Sequence, residues 1–124
     1  IENPEALFQF RIFERPPGMK AFPEKTYTKW FDYDIINNTV EIRHRQAGDV
    51  LAINKNGGTQ RLKRYFINEK ISQEEREKVW LVADGHDIMW VVGHRQSQRY
   101  QITESTKKIL EIHFLQRRKL WQRQ

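Results

Sequence analysis

The residues with the clearest chemical purpose are cations. Arg43 and Arg45 flank His44, Arg61, Lys63 and Arg64 form a second cluster, and Lys55 lies between the two. Guanidinium groups fork onto phosphate oxygens, and a lysine ammonium adds a point charge. Such a set binds a polyanion; it does not make or break bonds. Plainer roles compete with this one. Arg43 or Arg45 can pair with Asp49 and pin the turn at Gly48. Arg61, Lys63 and Arg64 can form a solvated helix face. Groups suited to catalysis are scarce. Without cysteine, thiolate nucleophiles, disulfides and Cys-based zinc sites are excluded. There is no H-E-x-x-H, no G-x-S-x-G and no G-x-x-x-x-G-K-[ST]. His44, His86, His94 and His113 show no ligand spacing. Asp84 and Asp87 flank Gly85-His86, where a tight turn explains them better than a carboxylate dyad, and Gly57-Gly58 reads as a turn. The expectation is no catalytic residue, no metal ligand and no cofactor in this chain.

The charge distribution supports the binding reading. The 124 residues carry a net charge of +6. Residues 1–42 and 65–106 are each net −2, whereas 43–64 and 107–124 are each net +5. If the two basic blocks meet in space they make one face suited to RNA. The tail adds Trp121 among Arg117, Arg118, Lys119 and Arg123, a candidate for stacking on a base. Apolar runs stop at four or five residues, far short of a membrane span. No basic-then-apolar leader is present. The chain therefore reads as a soluble, cytoplasmic domain with no membrane partner. Its opening Ile-Glu-Asn-Pro, without an initiator Met, reads as a cut from a longer protein.

The elements that must hold these cations follow from periodicity. Phe8, Phe10 and Ile12 alternate with Gln9 and Arg11, a strand period, ended by Pro16-Pro17-Gly18. Thr26 to Tyr33 reads as extended. Val40, Ile42 and His44 alternate with Glu41, Arg43 and Arg45, which predicts a strand with both arginines on one face. Gly48-Asp49 and Asn56-Gly57-Gly58 bound a short apolar run. Leu62, Tyr65 and Phe66 at i, i+3, i+4 predict a helix, with Thr59 as N-cap and free amides near Gln60 to Leu62. Ser72 and Glu75 form a capping box for a second helix. Val79 to Val82 and Ile88 to Val92, joined by Asp84-Gly85-His86-Asp87, read as a hairpin covered on both faces. Tyr100 and Ile102 suggest an edge strand, and Leu110, Ile112 and Phe114 a last strand. Trp30, Trp80 and Trp90 are assigned to the core. The tail from Gln116 frays or extends as a helix. This is an α+β chain in one domain, mostly antiparallel β, with one or two short helices inserted around residues 59–79.

Several strings together resemble a known family. Arg43-His44-Arg45-Gln46-Ala47-Gly48-Asp49 resembles the R-x-R-x-x-G-D segment of the C-terminal domain of tRNA(Ile)-lysidine synthase. Gly57-Gly58 and Arg61-Leu62-Lys63-Arg64-Tyr65-Phe66-Ile67 resemble its glycine loop and K-K-L-K-x-x-F-I helix. Asn68-Glu69-Lys70-Ile71 with Glu75-Arg76 resembles D-E-K-I-P and the following E-R. Ile88 to Arg95 resembles I-x-W-V-x-G-x-R, and Lys29-Trp30-Phe31-Asp32-Tyr33-Asp34 the K-x-F-D-Y-D lead-in. Ser72 stands where proline is common, Trp80 where proline often precedes the strand, and Asn68 replaces aspartate.

The resemblance implies a parent ligase that uses ATP, with magnesium, to attach lysine to the wobble cytidine of an isoleucine tRNA, changing codon and amino-acid identity. It places that chemistry, and an S-G-G-x-D-S loop, in an N-terminal domain not contained here. This chain would be the distal domain that positions the acceptor-stem region, with tRNA(Ile) and the catalytic domain as partners. The implied fold is similar to a domain of the phenylalanyl-tRNA synthetase beta chain, a sandwich-like β core with helices. The expected tRNA contacts are Arg43, Arg45, Lys55, Arg61, Lys63 and Arg64; Gly48, Asp49, Gly57 and Gly58 form the structural turns. Residues 1–25 are expected as a lead-in strand and loop, 26–115 as the tRNA-binding domain and 116–124 as a basic tail. The alternative is a protein-interaction module or homodimer using Phe13, Phe22 or Trp121, without RNA contact.

Overall fold

The computed structural model describes residues 6–19, 25–54 and 56–116. In chain order it contains β1 (Ala6–Glu14), β2 (Thr28–Asp32), a short 3-10 turn (Tyr33–Ile35), β3 (Val40–Arg43), β4 (Val50–Ala52) and β5 (Thr59–Arg61). There follow α1 (Leu62–Asn68), α2 (Gln73–Lys78), β6 (Leu81–Asp84), β7 (Asp87–Val91), β8 (Arg95–Gln96) and β9 (Lys108–Gln116). Two sheets result. One has the order β1-β9-β2 and is antiparallel throughout. The other runs β3-β6-β7-β4-β5, with β8 also on β7 and β4 parallel to β7.

β6 and β7 explain the layering. Their side chains divide between two apolar faces; the alternation is broken once, where a bulge shifts the register and sends both Met89 and Trp90 to the same side. Leu81, Ala83, Ile88 and Val91 pack with Leu62, Tyr65 and Phe66 of α1. Val82, Met89 and Trp90 pack with Phe31, Leu110 and Ile112 of the other sheet and with Tyr100. The result is a β-sandwich with helices on its outer side, the α+β architecture expected. The two strands meet at Gly85-His86, where Gly85 adopts φ +65°, a value glycine takes without strain. Among the described residues no helix is long and apolar enough to cross a membrane.

Some local expectations need correction. Thr59 does not cap α1; it lies in β5, which runs straight into the helix, with Arg61 at the cap position and no side-chain cap bond. The Leu62 N–H donates instead to the Asp49 carbonyl at 2.9 Å. By contrast, the Ser72 hydroxyl does accept from the Glu75 N–H at 3.1 Å to begin α2. Tyr100 and Ile102 form no strand. Tyr100 lies in a loop, and its buried hydroxyl donates to Asp84 at 2.8 Å. That carboxylate also accepts from the N–H groups of Asn37 and Asn38, so it ties a loop to a strand end. Trp90 is in the core, but Trp30 and Trp80 are only half-buried. Phe13 is partly covered, between Trp30 and the Arg11 guanidinium. Phe22, the tail and Trp121 lie outside the described residues.

Candidate nucleic-acid interface

β3 stops at Arg43, so Arg43 and Arg45 do not project from one strand face. The chain then crosses the outer side through residues 44–49 to begin β4. The glycine at the end of this crossing adopts φ +91°, a conformation that disfavours any other side chain. Next to it, the Asp49 carboxylate is buried and gathers four donors. Arg43 Nη2 donates to Oδ1 at 2.8 Å and Nη1 to Oδ2 at 2.9 Å. The Gln46 N–H donates to Oδ2 at 2.8 Å, and His86 Nδ1 to Oδ1 at 3.0 Å. Burial pushes this carboxyl up, but the bonds from Arg43, Gln46 and His86 outweigh it and leave Asp49 below its ordinary range.

Arg43 is thus committed. Its guanidinium also donates to the carbonyls of His44 and Gly85 at 2.9 Å, and its side chain is only 12% exposed. Arg43 takes the Asp49 pairing that the sequence left open between it and Arg45. Arg45 instead meets Glu77 of α2 at 2.9 Å, in a half-exposed pair. Arg61, Lys63 and Arg64 are exposed, and none has an ion pair among the described residues. Leu62, Tyr65 and Phe66 anchor α1 in the core, so the helix carries these cations on a rigid base. A cleft of about 270 Å³ joins the two clusters, lined by Arg45, Gln46, Gly48, Asp49, Arg61 and Lys63.

The other expected residues divide. Lys55 lies outside the described residues. Gly57 adopts φ +88°. The Gly58 N–H donates to Asn54 Oδ1 at 2.9 Å, so both serve a turn. Asn54 Nδ2 sits 2.5 Å from where a Gly58 Cβ would stand. A side chain at Gly58 would collide with Asn54, which explains the glycine as part of the turn. The amide of Leu62, expected to help bind anions, is already spent on Asp49. Of the cations in the second basic block only Lys107 and Lys108 are described, and their amides bond Asp34 beside β9. No group of three or more His, Asp or Glu side chains among the described residues could hold a metal ion. Sequence reasoning passed over His86 and Glu77. Each acts through a partner more than thirty positions away, and no local pattern announces that.

Comparison with known proteins gives a consistent answer. The family profile described as the TilS substrate C-terminal domain matches residues 40–113. The tRNA(Ile)-lysidine synthase of Caldanaerobacter subterraneus subsp. tengcongensis is 41% identical over 93 residues, 75% of this chain and 20% of that protein. The enzyme of the same name from Clostridium perfringens is 40% identical over 95 residues, 77% of this chain and 20% of that protein. That of Parabacteroides distasonis is 37% identical over 86 residues, 69% and 20% respectively. The chain spans about one fifth of the length of these curated relatives. A solved structure, "Crystal structure of TILS C-terminal domain", matches with TM-score 0.70 over 93% of this chain and 87% of that one. At 22% identity that likeness speaks to the fold alone.

Proposed function

The chain belongs to the family of TilS substrate C-terminal domains, and from that premise we propose that it holds tRNA(Ile) for a tRNA(Ile)-lysidine synthase. In this reading the parent enzyme uses ATP to join lysine to the wobble cytidine. This domain adds no bond-making group of its own; it grips the acceptor-stem region so that a distant anticodon loop lies in register. Fixing one end of a rigid substrate raises the rate by orientation. Contacts to the phosphate backbone set position, not sequence.

The observation that carries the proposal is the trio Arg61, Lys63 and Arg64. They are exposed and without ion-pair partners among the described residues, and Arg61 and Lys63 line the cleft that Arg45 shares. Arg45, which lines the cleft, extends the same cationic set, and Lys55 is kept as a proposed contact on its sequence position. Arg43 serves by pinning the turn through Asp49 rather than by touching phosphate.

The test is a titration of labelled tRNA(Ile) at several salt concentrations. Each phosphate contact contributes roughly 0.7–0.9 to the slope of log affinity against log salt. The triple variant Arg61→Gln, Lys63→Gln, Arg64→Gln should flatten that slope by about 2–3 while the fold is kept. An unchanged slope would remove the trio from the interface and favour a role in protein docking.

A further inference from the structure

Beside the basic cleft lies an aromatic arrangement that the cation argument does not use. The His44 imidazole lies flat on the Trp80 indole, with ring centroids 4.1 Å apart and planes inclined by 24°. Its Nδ1–H donates to the Val79 carbonyl at 3.0 Å, which fixes the ring orientation. Trp80 is braced in turn by Phe8, edge-on at 6.3 Å, and both rest against the sandwich core. His44 itself is exposed. Trp80 covers one face of the ring and Nδ1 is bonded; the other face and Nε2 have no ring or hydrogen-bond partner among the described residues.

We propose that the outer face of His44 is a stacking platform for an unpaired RNA base, with the adjacent Arg45 meeting that nucleotide's phosphate. The proposal rests on the tRNA-holding reading and narrows it. Bases within a duplex stack on each other and leave no open face. Single-stranded ends and bulges offer one, and proteins take such bases on aromatic rings. A ring held by two contacts has little freedom left to lose on binding. Its neighbour Arg45 is likewise held, by Glu77. Ring and cation are therefore presented by consecutive residues, as base and phosphate are presented by one nucleotide.

Two labelled RNA hairpins separate the platform from the charge. One is blunt; the other carries a four-nucleotide single-stranded 3′ extension. Binding is read by fluorescence anisotropy at fixed salt. The wild-type chain should favour the extended hairpin by roughly tenfold, the scale of one stacked base. His44→Ala should lose that preference and keep its affinity for the blunt hairpin. His44→Phe, which keeps a ring but not the Nδ1–H bond, should retain most of it. Equal binding of the two hairpins by the wild type, or an undiminished preference in His44→Ala, would overturn the platform and leave the phosphate contacts standing. Loss of blunt binding in both variants would also overturn it, by showing that His44 acts through the fold. If the wild type binds neither hairpin at low salt, the tRNA-holding reading fails and the platform with it.

Discussion

Replacing Asp49 by asparagine keeps the side chain's shape and removes the charge that four donors share. The two oxygens are loaded in pairs: Oδ1 accepts from Arg43 and His86, and Oδ2 from Arg43 and the Gln46 N–H. Whichever way the new amide turns, its NH2 faces an Arg43 N–H that can only donate. Arg43, 12% exposed, loses its buried, bidentate counter-charge and keeps only the exposed Glu41 carboxylate at 3.5 Å. Breaking a buried pair in this way costs about 3–5 kcal/mol. That is a large share of the roughly 5–15 kcal/mol that holds a domain together. In a chain of this size it lowers Tm by roughly 10–20 °C. Urea unfolding followed by tryptophan fluorescence measures the loss, since Trp90 is buried in the sandwich. A second substitution, Arg43→Met, should recover part of it. The double variant should be less destabilised than the sum of the singles by at least about 1 kcal/mol. A loss below about 1 kcal/mol for Asp49→Asn, or singles that add within about 0.5 kcal/mol, would refute the view that this ion pair holds the crossing.

Two further outcomes are expected. Glu77→Gln frees the Arg45 guanidinium from a carboxylate at 2.9 Å. It should strengthen tRNA binding and steepen the salt slope by up to about 0.9 in the same titration. Acid should destabilise the fold in a defined window. Burial pushes Asp84 up, but the Tyr100 hydroxyl, Asn37 and Asn38 outweigh it, so Asp84, like Asp49, sits below its ordinary value when folded. Both carboxylates therefore bind protons more readily unfolded. Their stabilisation is full above the ordinary value near about 4 and is lost as pH falls through the folded values. Urea midpoints between pH 7 and pH 2 should show this decline, and Asp84→Asn should make it shallower.

Much of the fold could be read from local pattern. The unbroken apolar runs of β6 and β7 announced strands covered on both sides, and the spacing of Leu62, Tyr65 and Phe66 announced the buried face of α1. Ser72 marked its own helix because the cap bond spans only three residues. The failures share a cause: a distant group replaced a local one. Thr59 lost the cap because the Asp49 carbonyl, thirteen positions before Leu62, takes the first helical amide. Tyr100 sits in a loop because its hydroxyl finds Asp84, sixteen positions away. At the candidate interface, residue types named the cations, but alternation gave a face and not a partner. Only three-dimensional geometry separates Arg43, which holds Asp49, from Arg61, Lys63 and Arg64, which face solvent.

The pairing of β1 with β9 has a mechanical side. The register runs without a break from Ala6 opposite Gln116 to Glu14 opposite Lys108. Tension applied at Ala6 and Gln116 would therefore load the hydrogen bonds one at a time, opening the ladder like a zip rather than shearing it. Sheet β1-β9-β2 shares no strand with the sheet that carries α1. The first strand would peel away while the Asp49 crossing and its cations remained unstrained. A pull on the ends would thus reach the His44 ring, through Phe8 and Trp80, before it reached the Asp49 crossing.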